Sequence, residues 1–363
     1  MITWVHHVLI IFIKPERALM IEHYAQRLRR KLGVIIKTAE DFPVLYNVNG
    51  VDESKYTKRA LFIWRYPPFL IPDNDREFLR HQNLRQCRQI AALLGELSYI
   101  VDVADINDKK FRLSRDYDLI ISTKFGSKYM DTAFRRDGVK IFLALTISNI
   151  MHNRNLRRRH ELLHKRRKFR VIFRKLMTEK LSGVSKSDAI MCFGNEFVMS
   201  TWKEVFKVPT YSFNNYGFQW TECPINSRDF ALARRNFLFF ASRCQIQKGL
   251  DLVLEIFHRH PHLHLYVCSY FEMERDFCSC YYKELYETPN IHPMGWITVN
   301  GPKYDDLAET YAYVILPSCS EGQAGSVVQC MYSGLIPLVT KEVGIDTEDF
   351  GITFSDDSQE AIE

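Results

Sequence analysis

The sequence predicts an α/β protein built from two Rossmann-like βα domains facing a cleft, and three observations carry that reading. Short apolar runs suited to buried strands alternate with helical stretches from Ala60 onward. The series breaks off in turn-rich stretches, Asn214–Gly217 and Cys223–Ser227, and then starts again. A chain of 363 residues, 46% hydrophobic and 25% charged, is long enough to bury two cores. Strands and helices alternating at this spacing imply parallel sheets covered on both faces.

Residues 1–58 read as an N-terminal extension. Met1–Ile13 is apolar, but His6 and His7 interrupt it and Lys14-Pro15 ends it. It is too short to cross about 30 Å of hydrocarbon as a helix. No basic segment precedes it and no small-residue cleavage site follows, so a signal peptide is not expected. Glu16–Leu32 has helical periodicity, with Arg17, Arg27, Arg29, Arg30 and Lys31 on one face.

The first domain is expected over 59–225. Its strands are Ala60–Trp64, Tyr99–Val103, Tyr117–Ile121, Val139–Leu145 and Asp188–Phe193, with helices over Gln82–Leu97 and Val198–Phe206 and a long basic helical stretch over 154–180. The second domain is expected over 226–363. It opens with strand Phe237–Ala241, helix Gly249–Arg259, strand Leu263–Cys268 and a helix reaching about Tyr286. Strand Ile291–Pro293, helix Tyr304–Tyr311, strand Tyr313–Leu316, helix Ser326–Ser333 and strand Leu335–Thr340 follow. Glu360–Glu363 reads as the start of a further helix, so this domain is expected to be incomplete.

Nine cysteines are scattered without a Cys-x-x-Cys pair or zinc-like spacing. That pattern suits the reducing cytoplasm. The net charge of +6 is modest, and no nucleic-acid-binding module accompanies it, so nucleic acid is not an expected partner. The basic charge is concentrated at 154–180, in Arg157-Arg158-Arg159 and Lys165-Arg166-Arg167-Lys168, interleaved with Leu156, Leu162, Leu163, Phe169, Ile172 and Phe173. Two uses stay open: a peripheral contact with anionic lipid, or a solvated helix flanking the cleft.

Chemistry points to the second domain. Ser242-Arg243 ends a strand and Lys248-Gly249 opens the next helix. Two cations beside a helix N-terminus form an anion site, because unsatisfied amides and the helix dipole add their attraction. Ser318-Cys319-Ser320-Glu321-Gly322-Gln323-Ala324-Gly325-Ser326 repeats the design, a strand leading through a glycine-bearing loop into a helix. Both loops lie at carboxyl ends of strands, where open α/β sheets take ligands. Glu321 there can accept hydrogen bonds from sugar hydroxyls. Neither a Gly-x-Gly-x-x-Gly fingerprint nor a Walker A loop occurs. Trp296, after Gly295, suits either stacking on a nucleobase or core packing.

The stretch Phe240-Ala241-Ser242-Arg243, continuing through Lys248-Gly249, resembles the Arg-x4-Lys-Gly signature of glycosyltransferase family 4. Pro317–Glu321, with Met331, Gly334 and Pro337 following, resembles that family's Glu-x7-Glu segment. The resemblance implies a GT-B fold, a nucleotide-sugar donor (UDP- or GDP-linked), no metal or cofactor, and retaining transfer to a glycan or lipid-linked acceptor. It implies that Arg243 and Lys248 bind the diphosphate and that Glu321 contacts the donor sugar; Gly249, Gly322, Gly325 and Ser326 are expected around the same donor, where the amides beside Glu321 can hold phosphate. Gln329 stands where the family has the glutamate that grips the ribose, which replaces a charge-assisted hydrogen bond by one about half as strong. On the first domain the chain has Tyr66-Pro67-Pro68 where many members have a Gly-Gly loop. His152 is the candidate for the family's histidine near the donor sugar, with Asn149 and His81 as alternatives. Acceptor contacts are expected among Pro67-Pro68 with His81-Gln82-Asn83, Ser122-Thr123, Thr146–Asn153 and Gly194-Asn195. These departures leave a second expectation open, a scaffold that binds nucleotide sugar or a partner protein with little or no turnover.

Overall fold

A computed structural model describes residues 44–363 apart from 73–74, 76–81, 109–110, 112–114, 125–137, 180, 182, 218–227 and 300. The helix expected at 16–32, His81 and Cys223 lie outside the described residues.

Two six-stranded sheets, parallel throughout, form the frame. The first holds β1 (Lys58–Trp64), β2 (Tyr99–Asp105), β3 (Leu119–Ser122), β4 (Val139–Ala144), β5 (Ala189–Phe193) and β6 (Thr210–Phe213), in the order β2-β1-β3-β4-β5-β6. Within β1, Ala60–Trp64 is an unbroken buried run because both faces of the strand are covered. Phe62 pairs with Val103 on one side and Ile121 on the other. The second sheet holds β7 (Asn236–Phe240), β8 (His264–Cys268), β9 (Ile291–Pro293), β10 (Tyr313–Leu316), β11 (Ile336–Thr340) and β12 (Ile352–Phe354), in the order β12-β11-β10-β7-β8-β9. Its order reverses between β7 and β10, so the loops after those two strands flank a topological switch point.

Two strands go beyond the sequence expectation. Both β6 and β12 are edge strands of three or four residues with two exposed positions each, so neither carries the apolar run that marks the others.

Around the sheets lie α1 (Gln82–Glu96), α2 (Asn149–Arg167), α3 (Glu196–Lys203), α4 (Gln245–Lys248), α5 (Leu250–Arg259), α6 (Arg275–Cys280), α7 (Tyr282–Tyr286), α8 (Pro302–Thr310) and α9 (Gly325–Tyr332). The segment expected as one helix up to Tyr286 is thus broken into α6 and α7.

The basic stretch is the largest correction. α2 starts under a Ser148 cap and stops at Arg167, where Lys168 takes φ +54° and its amide donates to His164 O at 2.9 Å. The chain then runs non-helically along the second domain. Val171 is buried in that domain's core, and the Ile172 amide donates to Asp276 Oδ2 at 2.7 Å. The arginines follow. Arg158 and Arg159 pair with Asp357 at 2.5 and 3.0 Å, Arg166 with Asp251 at 2.7 Å, and Arg167 with Glu255 and Glu284 at 2.9 and 2.5 Å. Much of the charge expected to face lipid or water clamps one domain to the other.

No described helix is long and apolar enough to cross a membrane. The eight described cysteines are free thiols.

Candidate functional site

A cleft of about 880 Å³ lies between the two sheets' carboxyl ends and draws its walls from both domains. Three contacts fix how its second-domain loops meet. Gly249 has φ +80°, and a Cβ there would stand 2.4 Å from Pro317 O, so only glycine lets the α4–α5 turn press against the loop after β10. The Cys319 amide donates to Gln247 O at 2.8 Å, and Gln247 Nε2 donates to Ser320 O at 2.6 Å. Both loops after the switch-point strands are thereby joined into one surface.

At its centre, Lys248 Nζ donates to Glu321 Oε1 in a largely buried ion pair. Ser318 Oγ donates to the same oxygen at 2.7 Å, and Gln247 Nε2 reaches it at 3.4 Å. Burial by itself pushes the Glu321 carboxyl up, but Lys248, Lys175 and these hydrogen bonds outweigh it and hold the carboxyl below the ordinary glutamate value. The acid is therefore ionised in the neutral range, and so able to accept hydroxyl hydrogen bonds.

Lys248, Glu321, Gly325, Ser326, Gln329 and Trp296 all line this cleft. Gly325 and Ser326 are the first residues of α9, and the opening amides of a helix have no intrahelical acceptor. Together with Lys248 they form an anion-seeking corner. Gln329 is buried, and its carbonyl accepts from Tyr304 Oη at 3.1 Å. Trp296 is 40% exposed and stacks on Tyr270 at 4.2 Å between ring centroids.

Other expected residues have different positions. Arg243 is exposed, with its guanidinium 5.7 Å from the Tyr270 ring centroid, and is not among the cleft-lining residues. The amides beside it already hold an internal anion: Cys244 N and Gln245 N donate to the buried Glu274 carboxylate at 2.6 and 3.2 Å. Gly322 serves close approach, because a Cβ there would meet Leu145 O at 2.5 Å and Phe193 O at 2.8 Å. Glu321 O accepts from the Ile147 amide of the first domain at 2.7 Å.

His152 is wholly buried. Its Nε2 lies 2.8 Å from Lys175 O, which can only accept, so Nε2 carries the proton and Nδ1 accepts from Ser320 Oγ at 2.6 Å. Burial pushes its imidazole below the ordinary histidine value; the bond to Lys175 O opposes this without cancelling it. Both ring nitrogens are thus engaged in a bridge between the domains.

Of the expected acceptor-side residues, Gln82, Asn83, Thr123, Thr146 and Asn149 line the cleft. Asn195 instead donates to Asp346 Oδ1 at 2.6 Å across the domain boundary. Lys124 and Lys175 line the cleft as well. In the sequence Lys175 is only one member of the basic run. No local signal places it here, because its position follows from the crossing of 168–179 onto the second domain.

Two parallel sheets with their strand ends facing a common cleft define the GT-B fold. No family model matches this chain, and no curated protein sequence does. The chain is similar in structure to sucrose-phosphate synthase from Thermosynechococcus elongatus, with a TM-score of 0.54 at 10% identity over 84% of this chain and 88% of that one. HepE of Anabaena, solved with UDP and glucose, gives a TM-score of 0.47 at 12% identity over 84% and 88%. TarM of S. aureus, solved with UDP among its ligands, gives 0.47 at 12% identity over 67% of this chain and 46% of the TarM chain. At these identities the likeness is one of fold.

Proposed function

We propose that this chain is a glycosyltransferase that draws a sugar from a nucleoside-diphosphate sugar held between Lys248, Glu321 and the start of α9. The observation that carries the reading is the convergence of a cation, an ionised buried acid and open helix amides at one switch point, facing a second βα domain across the cleft. A diphosphate suits the cation and the amides; a hydroxylated sugar suits the acid. The resemblance of the Arg243–Glu321 segments to family 4 agrees with this reading, and so does the likeness in fold to a sucrose-phosphate synthase.

In the proposed reaction the bond from the anomeric carbon to the diphosphate oxygen breaks, and the acceptor oxygen forms the new bond on the same face. The acceptor hydroxyl proton passes to the departing phosphate. Lys248 and the α9 amides stabilise the charge that develops on that leaving group. No histidine and no carboxylate besides Glu321 is found among the described residues lining the cleft, which favours this substrate-assisted proton transfer. The acceptor is proposed to be a glycan or lipid-linked hydroxyl compound that enters past Gln82, Thr123 and Asn149.

A thermal-shift series with UDP-, GDP-, ADP- and dTDP-sugars tests the reading on wild type and on Lys248→Ala. At least one donor is expected to raise the wild-type melting temperature, since about hundredfold saturation adds roughly 2.7 kcal/mol. The same donor is expected to do far less for Lys248→Ala. Silence of the wild type towards all four sinks the proposal. A second reading, a scaffold that binds nucleotide sugar without turnover, rests on Gln329 and on the full engagement of His152; binding without hydrolysis or transfer supports it.

A further inference from the structure

The Lys248–Glu321 pair raises a problem of charge. Inside the cleft these two groups neutralise one another, and Arg243 lies over Tyr270 outside its lining. A nucleoside diphosphate brings two to three negative charges into this corner. The second domain alone therefore supplies little net positive charge to receive them.

The missing charge comes from the other domain. Lys175 is an exposed lysine on the non-helical segment after α2, and it lines the cleft together with Lys248, Glu321 and Ser326. Its charge acts on Glu321 and on Cys244, one on each donor-side loop. Its backbone is held from both sides. On one side Arg174 Nη1 donates to Asp276 Oδ2 at 3.1 Å. On the other, Asn153 exchanges hydrogen bonds with Met177 at 2.7 and 2.9 Å, and Asn149 Nδ2 donates to Thr178 O at 2.8 Å. Between these anchors Lys175 adopts φ +63°, a left-handed conformation that a non-glycine residue keeps only where its surroundings enforce it. Its own carbonyl is held by His152, whose Nε2 donates to Lys175 O while its Nδ1 accepts from Ser320 next to Glu321. One imidazole thus ties the lysine's backbone to the loop that carries the acid.

We infer that Lys175 is a cation the first domain contributes to the donor's diphosphate, and that His152 is its positioning residue. The inference rests on the donor-site reading above and adds a group to it. A long cation on a fixed backbone opposite Lys248 can reach the phosphates when the Lys248–Glu321 pair opens, so the ligand is held from both domains at once.

Isothermal titration of the full chain with UDP, GDP and ADP, and with the matching monophosphate and nucleoside of whichever binds, tests the assignment. Lys175→Ala is expected to weaken the diphosphate at least tenfold, the monophosphate less, and the nucleoside not at all. Lys175→Arg should keep most of the affinity, and Lys165→Ala, an exposed lysine on α2, should leave it unchanged. His152→Ala should lower diphosphate affinity with nucleoside affinity intact; Ser320→Ala, which frees the ring's other end, should do so more weakly if the histidine variant does not fold. A Lys175→Ala protein that binds diphosphate like wild type, or loses no more than Lys165→Ala, overturns the inference and leaves the donor reading standing. A wild type that binds none of the three diphosphates overturns both.

Discussion

Lys248 and Glu321 bind one another in the cleft, and each has a second use that requires letting go. Removing the acid's charge should therefore separate its two roles. Glu321→Gln is expected to bind nucleoside diphosphate several-fold more tightly, because Lys248 no longer has a carboxylate to leave. The variant should also lose its preference for the sugar-bearing donor over the bare diphosphate, since a neutral amide is the weaker partner for hydroxyls. Titration calorimetry with both ligands reads the two effects separately, and parallel changes in the two affinities would refute the split. The acid's depressed pKa has its own consequence. Its folded value lies below the unfolded one near 4.3, so the pair's contribution is fully present above that pH and is lost only as pH falls through the lower, folded value. Close approach is the other residue-scale constraint. A Cβ on Gly322 meets two backbone carbonyl oxygens of the first domain, and backbone cannot rotate away. Gly322→Ala is expected to cost about 1–3 kcal/mol in urea unfolding, and a midpoint equal to wild type would show that the loop yields.

Among the elements, α2 decides how the two domains hold together, and its pairs differ in worth according to burial. Arg159 and Asp251 are 1% and 0% exposed, within a cluster that also takes in Arg166 and Asp357. Asp251→Ala leaves the buried cluster of Arg159, Arg166 and Asp357 one carboxylate short and is expected to cost on the order of 3 kcal/mol. Arg159→Met/Asp251→Leu removes both charges and should cost less than that single change. Arg157–Glu179 is 54% and 43% exposed, so Arg157→Ala should stay within about 1 kcal/mol of wild type. Urea midpoints for the three variants rank them, and equal losses for Asp251→Ala and Arg157→Ala would contradict the burial argument. This element also marks where the sequence stops being readable. Buried strands such as β1 and β7 declare themselves through local apolar runs, and the loops after β7 and β10 through the residues that end them. The partners of Arg158, Arg166 and Arg167 lie 85 to 199 residues away, so nothing local distinguishes a clamp from a lipid-facing or solvated helix. For the same reason Glu274 under the Arg243 loop, and Lys175 beside Glu321, become visible only in three dimensions.

For the molecule as a whole, α2 also sets a dependence on pH. Burial pushes His152, His160 and His292 below the ordinary histidine value, and the first two sit on α2. The His292 imidazole shows the shift most simply: burial lowers it, and the neighbouring His264 adds to the effect at 3.1 Å between ring nitrogens. His160 is stacked on Phe173 at 4.0 Å between centroids, on the segment that leads to Lys175. The sign follows from which state takes up the proton first. As pH falls through about 6.5 the unfolded chain protonates these rings while the folded one does not, so the fold loses stability from there down to the folded values. Buried acids oppose this: burial raises Asp251 and Glu274, and each favours the folded state as pH falls through the range between its folded and unfolded values. The histidine contribution is therefore isolated as a difference between proteins that share those acids. Relative to His160→Gln and to His292→Gln, the wild type is expected to lose stability steadily as urea midpoints are taken from pH 7.5 to pH 5.5, with no change in the gap above pH 7.5. A gap that is constant across the whole range would mean that neither ring resists protonation in the fold. The two variants should also part company in one respect. Only His160→Gln alters the α2 contact with the segment bearing Lys175. It should therefore alter nucleoside-diphosphate affinity, whereas His292→Gln, on the edge strand β9, should leave that affinity as in wild type.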